Sequence, residues 1–251
     1  MHSDGVQGAV ALVTGANRGI GKAIVDSLIE RGADKVYAAV RVLENAQTLI
    51  EKHGDKIVPV RIDLTKPDTI IEAAKQCGDV NFLVNNAGVL TITSPLSDRA
   101  IESLQNEFEV NVFGLIRIAQ SFCPILKTNG GGVFVQLNSV ASLKSFPDFA
   151  TYSASKAAAY SITQSLRQIL VDQGTRVLSV HPGPIATDMG NEAGLSEIAE
   201  PVEVVPNAMI ESLKSDDFHI FPDTLARKVG IVYQSFARDI IEANLLEENA
   251  H

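Results

Sequence analysis

The chain reads as an α/β domain with a parallel sheet covered by helices on both faces, and three observations predict this. Short apolar runs such as KVYAAVR (35–41), VNFLVNNAG (80–88) and GVFVQLNS (132–139) have the character of strands buried on two sides. Between them lie stretches of helical apolar spacing, among them GKAIVDSLIERGA and TIIEAAKQC. Glycine, asparagine or proline follows several of the runs, at the strand ends where such sheets bind ligands. The 251 residues suit one large unit spanning 1–251, and 45% apolar residues supply its core.

A net charge of -9 without a basic block opposes binding to nucleic acid or to an anionic membrane surface. The N-terminus lacks the pattern of a secretory signal, and no unbroken apolar run reaches the length of a membrane span, so a cytoplasmic location is expected. Cys77 and Cys123 are too few and too isolated for a disulfide framework or a metal site, and both read as structural thiols.

The first strand, Gly8 to Val13, runs directly into TGANRGIG and a helix. Gly15, Gly19 and Gly21 permit a tight turn, and the N-terminus of the helix offers unpaired N–H groups to a pyrophosphate. Asn17, Arg18 and Ile20 fill the turn. The second strand ends at Val40 and Arg41, where a cofactor with a free ribose 2′-hydroxyl would call for an acidic residue. Arg18 and Arg41 would instead flank a 2′-phosphate, which favours NADP(H) over NAD.

The third strand closes on Asp63 and Leu64, placed for an adenine, and the fourth on Asn85-Asn86-Ala87-Gly88, placed along a ribose. Asn85 reads as turn chemistry. A long amphipathic helix from about Ile101 to Leu126 carries Asn111 among apolar neighbours, where a polar side chain must find partners.

After the fifth strand comes Ser139, and thirteen residues later Tyr152 and Lys156 stand four apart on one face of a predicted helix. An ammonium beside a phenol lowers the phenol's pKa, so Tyr152 would exchange a proton with a substrate oxygen that Ser139 holds. The sixth strand ends in His181, read as a packed strand-end histidine, and in Pro182-Gly183-Pro184, a sharp exit at the crevice. About 185–205 reads as an irregular substrate lid. A helix at about 224–248 follows a short strand, with an apolar face through Leu225, Val229, Val232 and Phe236. Phe146, Pro147, Phe149 and Met189 are candidates for an apolar substrate lining.

In order along the chain, TGANRGIG, Asp63-Leu64, NNAG, Asn111, Ser139, Tyr152 with Lys156, and Pro182-Gly183 resemble the short-chain dehydrogenase/reductase superfamily in its small single-domain form. The resemblance covers nearly the whole chain. It implies a doubly wound Rossmann-type sheet and hydride transfer with a nicotinamide cofactor. It further implies that Tyr152 is the acid-base group, that Lys156 also holds the nicotinamide ribose, and that Asn111 keeps a water in a proton relay. Ala87, Gly88, Pro182, Gly183, Ile185 and Thr187 would complete the cofactor contacts, Thr187 at the carboxamide. The expected activity is NADPH-dependent reduction of a ketone or aldehyde to an alcohol, reversibly, in a homo-oligomer (dimer or tetramer). An NADP(H)-sensing binding protein on the same fold is the alternative, and no metal is expected.

Overall fold

The computed structural model describes residues 5–243. Its seven strands form one parallel sheet in the order β3-β2-β1-β4-β5-β6-β7. The strands are β1 (Val10–Thr14), β2 (Lys35–Val40), β3 (Ile57–Arg61), β4 (Phe82–Asn85), β5 (Gly132–Leu137), β6 (Thr175–Val180) and β7 (His219–Ile220). From β1 the chain winds outward to β3, then crosses back to β4 on the other side of β1. The reversal opens a crevice beyond the C-terminal ends of β1 and β4.

Alternation along each strand divides the core between the two faces. Ala11, Val13, Phe82, Val84, Val133 and Val135 point to one side, with Leu12, Leu83 and Phe134 to the other. The first layer is closed by α1 (Gly19–Glu30), α2 (Gln47–His53) and α8 (Val204–Ser212), through residues such as Ile24, Leu49 and Met209. The second is closed by α3 (Pro67–Gln76), α5 (Gly114–Thr128) and α6 (Ala150–Leu170), through Ile70, Phe122 and Tyr160. Both faces are therefore buried, which is why the strands read as apolar runs rather than as alternating ones.

The long helix predicted from Ile101 extends over Ala100–Thr128, as α4 (Ala100–Glu107), a π-helical stretch Phe108–Phe113, and α5. It is long and apolar enough to cross a bilayer, but half of its most apolar window is buried within the fold. Asn111 lies in the π stretch, the kind of local widening that often marks a functional site.

Two regions differ from expectation. Segment 185–205 contains α7 (Asp188–Glu192), capped by the Thr187 hydroxyl, which accepts from Gly190 N at 3.1 Å, and Ile185 pairs back with Glu200. Short helices rich in glycine and polar residues carry too little periodicity to be read from sequence. The C-terminal helix α9 (Thr224–Phe236) continues into a π turn, Ala237–Ile241, and the expected stretch beyond 243 lies outside the described residues. Its buried face runs through Ala226, Gly230 and Ala237, with Tyr233 half-buried, whereas Val232 is 83% and Phe236 50% exposed. Small residues face inward because Gly230 packs directly on the Phe221 ring, where a Cβ would lie 2.5 Å from Cδ2. Cys77 and Cys123 are buried free thiols, both raised by burial, to about 12 and about 11.

His181, wholly buried at the end of β6, joins this strand to the segment after β5. Its Nδ1 lies 3.1 Å from the Ser139 carbonyl, which can only accept, so Nδ1 carries the proton. Nε2 then accepts from the Ser179 hydroxyl at 2.7 Å, and Ser179 accepts from Asn138 Nδ2 at 2.9 Å. Both ring nitrogens are committed, in agreement with a packing role.

Two expectations follow from this architecture. A Cβ on Gly21 would lie 2.1 Å from the Gly15 carbonyl oxygen, so Gly21→Ala should lower the urea unfolding free energy by about 1–3 kcal/mol. An unchanged midpoint would show that the turn yields. Burial holds His181 down to about 3, far below its ordinary 6.5, so the unfolded chain binds more protons between these values. Stability present above pH 6.5 is lost as the pH falls, by up to about 1.4 kcal/mol per pH unit for this group. Urea melts between pH 7 and 4 should show that loss, and His181→Gln should flatten it; equal slopes would remove His181 as its cause.

Candidate active site

The crevice is built on the turn after β1. Gly15 and Gly19 have φ of 65° and 51°, in the left-handed region that glycine occupies without strain. A Cβ at Gly15 would lie 3.1 Å from Asn86 Nδ2 and 3.2 Å from Ala87 Cα, so the β1 turn and the β4 turn meet backbone to backbone. Asn86 Nδ2 donates to the Thr14 carbonyl at 2.9 Å, and the Thr14 hydroxyl accepts from the amides of Asn86 and Ala87 at 2.9 and 3.0 Å. Thr14 was not singled out from the sequence. Asn85 is buried and donates to Gln136 Oε1 at 2.8 Å, a sheet contact consistent with its structural reading.

The outer end of the crevice is lined by Asn17, Arg18, Gly19, Ile20 and Arg41, followed by Asp63 and Leu64. Arg41 makes no hydrogen bond or ion pair among the described residues, and Arg18 reaches across the mouth to Asp188 at 3.2 Å, both partners more than half exposed. Burial alone would raise the Asp63 carboxyl, but the Thr65 hydroxyl and amide donate to it and the net direction is down. The glycines leave room for a phosphate to approach the backbone, and the two arginines supply mobile positive charge, so this end suits a phosphorylated nucleotide.

At the inner end the wall is formed by Asn86, Ala87, Gly88, Tyr152, Lys156, Pro182 and Thr187. Gly21 lies behind it, under the turn. Gly183 is tied to Asp223, its amide donating to Oδ2 at 2.6 Å, and the Ile185 side chain is in the core. Of the four apolar candidates for a substrate lining, only Met189 lines the crevice; Phe146 and Phe149 are half-buried and Pro147 is exposed.

Lys156 is buried, and its Nζ donates to the Leu137 carbonyl at 2.8 Å and lies 5.8 Å from the centroid of the Tyr152 ring. Ser139 Oγ donates to the Pro182 carbonyl at 3.3 Å and accepts from Ala141 N at 3.1 Å. Burial pushes the Tyr152 phenol up to about 12, against the opposing pull of the Ser139 hydroxyl, and pushes Lys156 down to about 8. This reverses the expectation that the ammonium depresses the phenol. With the lysine turned to a backbone carbonyl, desolvation outweighs it. A protonated phenol at the end of a crevice, next to a serine hydroxyl, can give a proton to a bound oxygen.

Asn111 shares the site by a different geometry. Its Oδ1 accepts from Val89 N and its Nδ2 donates to the Val89 carbonyl and to Ser155 Oγ, each at 2.9 Å. Ser155 Oγ in turn donates to the Tyr152 carbonyl at 2.8 Å. Asn111 thus pins the β4 exit to the helix that carries Tyr152 and Lys156. A Cβ on Gly88 would stand 3.1 Å from Asn111 Oδ1 and 3.6 Å from Lys156 Nζ, so the glycine keeps this junction open.

Comparison with known proteins agrees with this arrangement. Residues 9–197 match the family model described as short chain dehydrogenase. A short-chain dehydrogenase from Burkholderia cenocepacia J2315, solved in complex with NADP, superposes with a TM-score of 0.84 at 34% identity over 94% of this chain and 98% of its own. A 3-ketoacyl-(acyl-carrier-protein) reductase from Brucella melitensis, complexed with NADH, gives 0.76 at 25% identity over 84% and 92% of the two chains. In Arabidopsis thaliana, an NADPH-dependent aldehyde reductase-like protein is 32% identical over 213 residues, 78% of this chain and 79% of its own. With its seven-stranded parallel sheet and a crevice lined by the glycine turn, Tyr152 and Lys156, the chain belongs to the short chain dehydrogenase family of oxidoreductases.

Proposed function

We propose that the protein is an NADPH-dependent carbonyl reductase that converts a ketone or aldehyde to an alcohol, reversibly. The observation that carries this reading is the crevice itself, with a half-buried Tyr152 beside a buried Lys156 at its inner end and Arg18 and Arg41 at its mouth. When bound, the cofactor supplies the hydride. Tyr152 OH donates the proton to the substrate oxygen, and Ser139 Oγ orients that oxygen. Lys156, which donates to the Leu137 carbonyl, would hold the nicotinamide ribose hydroxyls. Arg41 and Arg18 would hold the 2′-phosphate, and Asp63 with Leu64 the adenine. Thr187, which caps α7, would hold the nicotinamide carboxamide. Segment 185–205 closes over the substrate. The protein works in the cytoplasm as a homo-oligomer, with neither nucleic acid nor membrane as partner.

Absorbance of NADPH, with NADH in parallel, should fall in the presence of members of a panel of aromatic ketones, aldehydes, keto esters and diketones. A protein that binds NADPH yet oxidises it with none of them would favour an NADP(H) sensor. Tyr152→Phe should abolish turnover and leave NADPH binding nearly intact; substantial residual activity would sink the role given to Tyr152. Arg41→Asp should raise the Kd for NADPH roughly tenfold or more, the loss of one charge-assisted phosphate contact of about 1.5–3 kcal/mol, with a smaller change for NADH. Equal effects on the two cofactors would remove Arg41 from the phosphate site.

A further inference from the structure

Residues 89–93, leaving β4, run against the long helix in a regular pattern. Val89 N meets Asn111 Oδ1 at 2.9 Å, Thr91 N meets Glu107 Oε1 at 2.8 Å, and Thr93 Oγ1 donates to Ser103 Oγ at 3.1 Å. Every second residue of an extended chain, about 6.7 Å, thus meets every fourth residue of a helix, about 6 Å. The end of the segment pairs with the start of α6, where Thr93 N donates to the Asp148 carbonyl at 2.8 Å and Ala150 N to the Thr93 carbonyl at 3.2 Å. The middle rung is unusual. Glu107 is wholly buried, and its Oε2 and the nearby Thr151 Oγ1 are both buried without a well-aligned hydrogen-bond partner. An under-satisfied buried carboxyl is costly to keep, and in a native fold it calls for an explanation.

We propose that Glu107 is a positioning residue for the reaction, an ionisable clamp between the 89–93 segment and the start of α6 whose charge state tunes Tyr152. This rests on reading Tyr152 as the proton donor. The 89–93 segment brings no titratable group to Glu107, and the neighbouring rungs of the ladder on its own helix are Ser103 and Asn111. α6 brings Thr151 and then Tyr152, with Lys156 one turn further on. Tyr152 is therefore the first titratable group that α6 brings beside Thr151, and the upward direction of its phenol, to which a charge on Glu107 adds, agrees with this. Burial raises the Glu107 carboxyl itself, against the Thr151 hydroxyl and the Thr91 amide. In its ionised form Glu107 keeps Tyr152 protonated, and a protonated phenol is the form that serves reduction.

The test isolates Tyr152 from Tyr37, Tyr160 and Tyr233 without requiring turnover. The phenolate absorbance of the protein, minus that of its Tyr152→Phe variant, is titrated against pH, and the same difference is taken in a Glu107→Gln background. Glutamine retains an acceptor for Thr91 N and removes the charge, so the midpoint should fall by about half a pH unit or more. Glu107→Met, neutral and of similar length, should move it the same way even without the hydrogen bond to Thr91. Midpoints that coincide with the parent in a folded variant overturn the proposal. The basic limb of the kcat/KM profile should shift in parallel. Should the parent turn over no substrate at all, the functional reading fails by itself and the titration still decides the coupling.

Discussion

The site depends on one contact, the seam between the ends of β1 and β4. The Thr14 hydroxyl accepts two successive amides from the β4 turn, and Asn86 returns a hydrogen bond to the Thr14 carbonyl. This seam lies at the point where the strand order reverses, so it is the floor of the crevice. Glycines are required on its β1 side because a side chain at Gly15 or Gly21 would stand where Asn86 or the turn's own backbone stands.

Around this floor the site is organised by burial more than by pairing. Lys156 and His181 are removed from water, and each is held by backbone carbonyls instead of by carboxylates. Neutral forms are favoured as a result, with the phenol and His181 neutral at pH 7 and the ammonium weakened. Only at the mouth, where Arg18, Asp188 and Arg41 are solvated, is charge freely available. The crevice thus grades from exposed cations to a dry proton-donating end, the polarity a long phosphorylated cofactor with a reactive far end would match.

Most of the architecture was legible because both faces of the sheet are covered. The central strands β1, β2 and β4 are nearly unbroken apolar runs, and Gly15 and Pro182 stand just past the ends of β1 and β6. The site residues were legible for the same reason, since they sit at strand ends and on one helix face. Elements without periodicity escaped. α7 is five residues long, α8 opens on Val204-Val205-Pro206, and α9 turns alanine and glycine inward while leaving valine and phenylalanine exposed.

By itself, the sequence determined the order of the strands and of the strongly periodic helices, the glycine turn, and the Ser139, Tyr152 and Lys156 set, because these depend on local propensity and spacing. Tertiary structure alone decided their electrostatics and their partners. The phenol is raised by burial despite its neighbouring lysine, and Ile185 goes to the core while Gly183 goes to Asp223. Glu107, Asn111 and Ser103 become rungs under one extended segment. Desolvation and hydrogen-bond pairing depend on which groups the fold brings within about 3 Å, and spacing along the chain carries no record of that distance.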